Sequence, residues 1–380
     1  MINAVNDQAD DTNLFSDSLE KEFYLVKNET IEAEKFCPIA IFVYTKEKLL
    51  HILLGDFVAP NIESEGLRES SLGKLLDLIK CQKIRKMKIT SNNFNYDDKP
   101  SLSFLFALLL NIEKKEELEF FATDGRKIVI PSLNALMFAA LRNPEKMRKI
   151  TLSLAFYNFP HRDFIKIMRS ALCRTLNLQE LELAMLGKTI PFARIFSGLI
   201  NGRREWTNSL QRLAINCFNF SRRATILQIF NYFPSLKHLS LLAYQIDIND
   251  QIFLKTLGDQ EKLKNFETLD FSLKNLNITD YAVSQFLKRD FGNLKKLNLI
   301  FGGSSITDEA FDGVLVHGIK NFNKEMNLEF DIQDTKATQE CKMAIIHLLY
   351  RKRNGPGDNE EASVKVLRTP NEYKKISDDV

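Results

Sequence analysis

LKKLNLIFGGSSITDEAF, residues 294–311, opens with Leu294, Leu297 and Leu299 in an L-x-x-L-x-L spacing. In an extended chain, alternate side chains point to opposite faces. Leu297 and Leu299 then face one way, and Lys296 and Asn298 the other. The stretch ends in Ile306-Thr307-Asp308, where Thr307 suits a helix cap and Asp308 the first helical turn, facing the positive end of the helix dipole. The pattern reads as a short strand, a turn and a helix.

The same pattern recurs along the chain. Using the middle apolar residue as a marker gives Met87, Leu118, Ile150, Leu181, Leu213, Leu239, Leu269, Leu297 and Met326, with spacings of 31, 32, 31, 32, 26, 30, 28 and 29. The expected helix starts keep step: Pro100, Pro131, Pro160, Pro191, Ser221, Asn249, Thr279, Thr307 and Thr335. The triplet at Ile248–Asp250, Ile278–Asp280 and Ile306–Asp308 repeats as well. Helical periodicity gathers Phe164, Ile167, Met168, Ala171 and Leu172 on one face, and Met343, Ile346 and Leu349, widened by Ile345 and Leu348, on another. Those stripes read as core.

Near-constant units of this length signal a repeat architecture. The chain resembles the leucine-rich repeat family, in its ribonuclease-inhibitor-like subclass. The resemblance implies an α/β solenoid, a horseshoe with parallel strands on the concave face and helices on the convex face. Of the positions where that family carries Asn or Cys in the turn, only Asn92 matches here. The organisation expected is a disordered acidic N-terminus over 1–20, a cap or irregular first repeat over 21–83, about nine repeats over 84–350, and a flexible tail over 351–380. LLHILL at 49–54 and an apolar-periodic stretch at 67–79 belong to the cap.

The residues flanking each marker face solvent on the concave side. In the first half they alternate in sign: Lys86 and Lys88, Glu117 and Glu119, Lys149 and Thr151, Glu180 and Glu182, then Arg212 and Ala214. Strands about 4.8 Å apart let such charges pair. The second half gives His238 and Ser240, Thr268 and Asp270, Lys296 and Asn298, Glu325 and Asn327, with Leu242, Tyr244, Ile300 and Phe301 near the same face. A mostly uncharged centre with aromatics suits a protein interface. The candidate partner-binding residues are Glu180, Glu182, Arg212, His238, Ser240, Leu242, Asp270, Lys296, Asn298 and Ile300.

No Walker A loop, dinucleotide fingerprint, nucleophile elbow or H-E-x-x-H motif is present. His51, His161, His238, His317 and His347 sit on different units without metal-ligand spacing, and only His238 falls on the concave ladder. The expected cofactor and metal complement is none, and the expected class is not an enzyme. Cys81 and Cys217 read as small buried hydrophobes, and the five scattered cysteines as free thiols. The loop NGRREWTNS, residues 201–209, carries the single tryptophan, Trp206, as a packing anchor. A net charge of +3 argues against a nucleic-acid partner. The longest apolar run, SLSFLFALLLNI at 101–112, is too short to span a bilayer, and residues 1–20 lack the features of a signal peptide.

The tail from Arg351 to Val380 carries Gly355-Pro356-Gly357, the acidic pair Glu360 and Glu361, and apolar Ile376 and Val380 near its end. It resembles the C-terminal translocation signals of bacterial type IV effectors. The resemblance implies a scaffold that binds a host protein after delivery from the bacterial cytoplasm into the host cytosol. The alternative is a cytoplasmic regulator of an enzyme, as an inhibitor of the ribonuclease-inhibitor kind or a GTPase activator.

Overall fold

Seven of the parallel strands enter the sheet through the same backbone bond. The amide of Glu116 donates to the carbonyl of Arg85 at 2.7 Å, that of Arg148 to Glu116 at 2.7 Å, and that of Gln179 to Arg148 at 2.8 Å. Further on, Lys237 donates to Gln211, Glu267 to Lys237, Lys295 to Glu267 and Asn327 to Lys295, all between 2.7 and 2.8 Å. The structure, a computed structural model, describes residues 21–26, 39–44, 46–55, 72–81, 83–92, 99–112, 115–123, 130–155, 161–185, 192–200, 205–220, 229, 231–246, 249–257, 263–272, 278–301, 305–312, 326–332 and 335–354. The expectations for residues 1–20 and for the tail beyond 354 lie outside these, as do the helix starts at Pro160, Pro191 and Ser221.

The chain divides into two compact units, Met1–Pro191 with Ile195–Leu210, and Phe192–Arg194 with Gln211–Val380. In the first, strands β1 (Lys21–Val26), β2 (Ile39–Tyr44) and β3 (Leu49–Gly55) form an antiparallel meander. Strand β3 then pairs in parallel with β4 (Lys86–Asn92), and the parallel order continues through β5 (Glu117–Thr123), β6 (Lys149–Ala155) and β7 (Glu180–Met185). The connections run through α1 (Leu72–Cys81), α2 (Lys99–Leu110), α3 (Ile130–Ala140) and α4 (His161–Leu172). Helix α5 (Phe192–Ile200) lies where the units divide, and α6 (Glu205–Ser209) closes the first. In the second, β8 (Arg212–Phe220), β9 (His238–Ile246), β10 (Thr268–Ser272), β11 (Lys296–Ile300) and β12 (Asn327–Asp331) are parallel in sequence order. Helices α7 (Asp250–Leu257), α8 (Asp280–Leu287) and α9 (Gln339–Asn354) belong to it, with a single 3-10 turn at Asp308–Ala310. The fold is α/β, with mostly parallel strands alternating with helices as in a repeat solenoid.

The marker residues are core. Met87, Leu118, Ile150, Leu181, Leu213, Leu239, Leu269 and Leu297 are all buried in the face that the helices cover. The ninth repeat departs from its expected frame, because Leu297 pairs in register with Leu328, not with Met326. The sequence M-N-L-E-F offers two frames, and the ladder selects the later one. Asn327, Glu329 and Asp331 therefore occupy the outward positions, while Glu325 lies outside the described residues.

Helix α4 buries Phe164, Met168, Ala171 and Leu172 as its periodicity predicts, with Ile167 half-buried. Helix α9 does not follow the expected stripe. It begins at Gln339, four residues past Thr335, with the Thr338 hydroxyl accepting from the Cys341 amide at 3.2 Å. Cys341 and Ile345 face the core, and Met343 is 42% exposed. The side chains of Ile346, Leu348 and Leu349 lie outside the described set. Helix α2 is apolar on most sides, with Leu102, Leu105, Leu108 and Leu109 buried. No described helix is long and apolar enough to cross a membrane.

One buried cation joins two helices of the first unit. Lys115 is 1% exposed, and its ammonium donates to the carbonyls of Leu109 at 3.4 Å and Ala139 at 3.3 Å, near the C-terminal ends of α2 and α3. Those ends carry carbonyls without helical partners and a partial negative charge. Burial lowers the Lys115 pKa from 10.5 to about 8, and the Arg142 charge pushes the same way. Between these values the unfolded chain binds more protons than the folded one. Stability therefore rises with pH from about 8 toward 10.5. Lys115→Met removes this rise, and thermal melts of both proteins across that range check it.

Candidate interaction face

The residues between the core markers share the sheet face away from the helices. In the first unit they form rows across the strands. One row runs Lys86, Glu117, Lys149, Glu180, and the next runs His51, Lys88, Glu119, Thr151, Glu182. Opposite charges meet as the alternation predicts. Lys86 pairs with Glu117 at 3.1 Å, and Lys149 pairs diagonally with Glu119 at 2.9 Å. The Lys88 ammonium lies 5.5 Å from the centre of the Phe121 ring, within cation–π range. Burial lowers the pKa of Lys149, but the Glu119 bond and the carboxylates of Glu119, Glu180 and Glu117 outweigh it, so the net shift is upward.

His238 is not alone on the ladder. His51 stands in register with Lys88, and its Nε2 is 3.1 Å from the Thr90 hydroxyl. Burial, then the Lys88 charge, lowers its pKa to about 3, so the ring is neutral at ordinary pH. The sequence placed LLHILL in the cap and so gave His51 no ladder position.

Beside Lys149, the pattern of pairing stops. Glu180 and Glu182 project from β7 without an ion pair among the described residues, Glu180 half-buried and Glu182 exposed. Next to Glu182 in the register, the Thr151 hydroxyl oxygen is buried and has no hydrogen-bond partner. An unmet buried polar group costs about 1–3 kcal/mol. Sequence reasoning listed Thr151 as an outward residue and gave it no further significance.

In the second unit the rows are bonded across strands. Ser240 donates to Asp270 at 3.3 Å, and the Asn298 amide donates to the other oxygen of the same carboxylate at 2.9 Å. Asp270 has a raised pKa: burial pushes it up, and Ser240, Lys296 and Asn298 only partly offset that. His238 Nδ1 lies 3.0 Å from the Thr268 hydroxyl, and Lys296 pairs with Glu329 at 3.3 Å. Arg212 is exposed at the start of β8. Leu242 and Ile300 are half-buried; Leu242 stands opposite Asn216, and Ile300 stands between Ser272 and Asp331.

All ten candidate residues lie at outward ladder positions, Glu180 and Glu182 in the first unit and the other eight in the second. The structure gathers Ser240, Asp270 and Asn298 into one bonded row, and adds Glu329 and Asp331 as neighbours. Phe301 is a correction. It follows the last residue of β11, so the strand alternation no longer governs it, and its buried ring packs edge-on against Phe311 and Phe330. The Tyr244 side chain lies outside the described residues.

Three further expectations meet the structure. Cys217 is buried, but Cys81 is exposed at the end of α1, where the helix's last turn leaves the core. Trp206 is an anchor as expected, 1% exposed, yet it sits in the helical turn α6 and not in a loop. Arg203 and Arg204 fall outside the described residues. Thr279 and Thr307 occupy cap positions without capping their own helices. Their hydroxyls and amides donate instead to the aspartate that begins the preceding helix. Thr279 binds Asp250 at 2.5 and 2.7 Å, and Thr307 binds Asp280 at 2.7 and 2.8 Å. Thr338 binds Asp308 in the same way, at 2.8 and 2.6 Å. Among the threonine and asparagine starts, Asn249 does cap its helix, accepting from the Ile252 amide at 3.1 Å.

No protein-family profile matches the chain, and no curated protein matches it. Among solved structures, a chain of the Rad7–Elc1 complex of yeast is 17% identical with a TM-score of 0.43, the match covering 69% of this chain and 60% of that one. This chain thus spans 60% of that protein's length. A Bacteroides fragilis protein is 13% identical with a TM-score of 0.37, covering 84% of this chain and 97% of its own. Likenesses this low carry nothing about function, and the fold rests on the strand register.

Proposed function

We propose that the chain is a non-enzymatic scaffold that binds a protein partner on the outward face of its strand ladders. The observation that carries this reading is the composition of that face. Polar side chains stand at fixed strand spacing, Glu180 and Glu182 have no ion pair among the described residues, and half-buried Leu242 and Ile300 lie beside a bonded polar row. Repeat arrays present such faces as broad docking surfaces. His238 lies against Thr268, and Ser240 donates to Asp270, so both side chains take part in the bonded rows of this face. The binding reading is tested by cross-linking capture with wild type, Leu242→Glu/Ile300→Glu and Lys296→Glu. Partners lost in these variants at unchanged melting temperature support it. An identical partner set across all of them overturns it.

The proposed setting is a bacterial effector translocated into a host cell. It is supported by the composition of residues 351–380, with acidic Glu360 and Glu361 ahead of apolar Ile376 and Val380. A translocation reporter fused to residues 351–380 tests it. Delivery of the reporter supports the setting, and failure of the fusion to leave the bacterium counts against it.

A further inference from the structure

The carboxylates of the first unit are unevenly served. Glu117 and Glu119 each have a lysine within 3.1 Å, Lys86 and Lys149 respectively. Glu180 and Glu182 have none among the described residues, although they lie on the same face. They are two residues apart on one strand, so their side chains leave the sheet side by side, about 6.6 Å apart. A third group stands in the same row of the ladder. Thr151 is 5% exposed and in register with Glu182, and its hydroxyl has neither donor nor acceptor partner. It projects from the outward face, so no core group can serve it.

Resting on the binding reading above, we propose that Glu180, Glu182 and Thr151 form an acceptor site for an arginine side chain of the partner protein. The chemistry selects the guanidinium. It is a planar cation with five donors in a fixed fork, wide enough to engage carboxylates on two sides and still offer an N–H to a hydroxyl oxygen. An ammonium presents a compact charge and fits one carboxylate at a time. Of the neighbouring lysines, Lys86 pairs with Glu117, Lys88 lies over the Phe121 ring, and Lys149 bonds Glu119 while its charge also acts on Glu180 opposite it.

Fluorescence anisotropy with a dye-labelled peptide carrying arginine at alternate positions tests this, beside lysine and glutamate versions of the same peptide. The full chain binds the arginine peptide best. Glu180→Gln/Glu182→Gln weakens that binding on the order of tenfold. Asp163→Asn, at an exposed helix position in the same unit, leaves it unchanged. Thr151→Val separates a binding role from a structural one: it removes an unserved hydroxyl, so the melting temperature holds or rises, while affinity for the arginine peptide falls. Equal binding by wild type and the double glutamine variant overturns the proposal, as does equal binding of the arginine and glutamate peptides. The outcome is separable from that of the binding reading. Partner capture that depends on Leu242 and Ile300 but ignores Glu180 and Glu182 sinks the arginine site and leaves the scaffold standing.

Discussion

Trp206→Ala lowers the stability of the protein by about 3–5 kcal/mol, the cost of emptying a large buried aromatic site. The ring is 1% exposed, in a five-residue helical turn too short to be stable by itself. What holds the turn is its surroundings. Thr207 and Leu210 are buried beside it, and the Ser209 hydroxyl reaches the carbonyls of Leu178 at 2.8 Å and Trp206 at 3.1 Å. Without the indole, Thr207, Leu210 and the Ser209 bonds are left beside an emptied site and hold α6 less firmly. Urea unfolding followed by far-UV circular dichroism measures the loss. Trp206→Phe keeps an aromatic ring in place and so loses less. A fall in unfolding free energy of under about half a kcal/mol for the alanine variant would show that the indole is not an anchor. Because the chain has one tryptophan, the emission of the wild type reports the first unit by itself.

The second large effect is at Asp280. Its carboxylate accepts both the Thr307 amide at 2.8 Å and the Thr307 hydroxyl at 2.7 Å. Hydrogen bonds to a charged group contribute about 1.5–3 kcal/mol, and removing the acceptor leaves both part-buried donors unmet. Asp280→Ala therefore costs about 2–3 kcal/mol. A double-mutant cycle with Thr307→Val isolates the hydroxyl bond, and additivity of the two single changes would mean that the bond contributes nothing. The equivalent carboxylate of Asp308 adds a pH signature. Its pKa lies below the usual 3.8, chiefly because the Thr338 amide and then the Thr338 hydroxyl bond it. A depressed pKa means that the unfolded chain takes up the proton first. The stabilisation is present above pH 3.8 and is lost as acid protonates the folded carboxylate. Asp308→Asn flattens the melting temperature over that acid range.

The repeat was legible because the core of a ladder is periodic in sequence: every marker but the last sits where the spacing put it. The last failed because two frames in M-N-L-E-F satisfy the same alternation, and only pairing with Leu297 and Leu299 separates them. Outward positions were legible for the same reason, and illegible once a strand ended, as Phe301 shows. The aspartate–threonine bonds could not be read from local rules. Each partner taken alone suits a helix start, and the rule for caps looks three residues ahead, not one repeat back. The orphan hydroxyl of Thr151 was out of reach too, since the sequence says which residues share a row but not which of them find partners.

The bonds from Asp250, Asp280 and Asp308 bear on the mechanics of the second unit. Two repeats joined along a single line can hinge about it, as a door does. The backbone ladder between β10 and β11 is one such line. The bond from Asp280 to Thr307 is a second, beyond the turn that separates strand from helix. Two bodies fastened along two separated lines cannot fold about either. The spacing from Ser240 to Asn298 is then stiff before any partner arrives, and an interface that needs no ordering on contact keeps more of its binding energy as affinity.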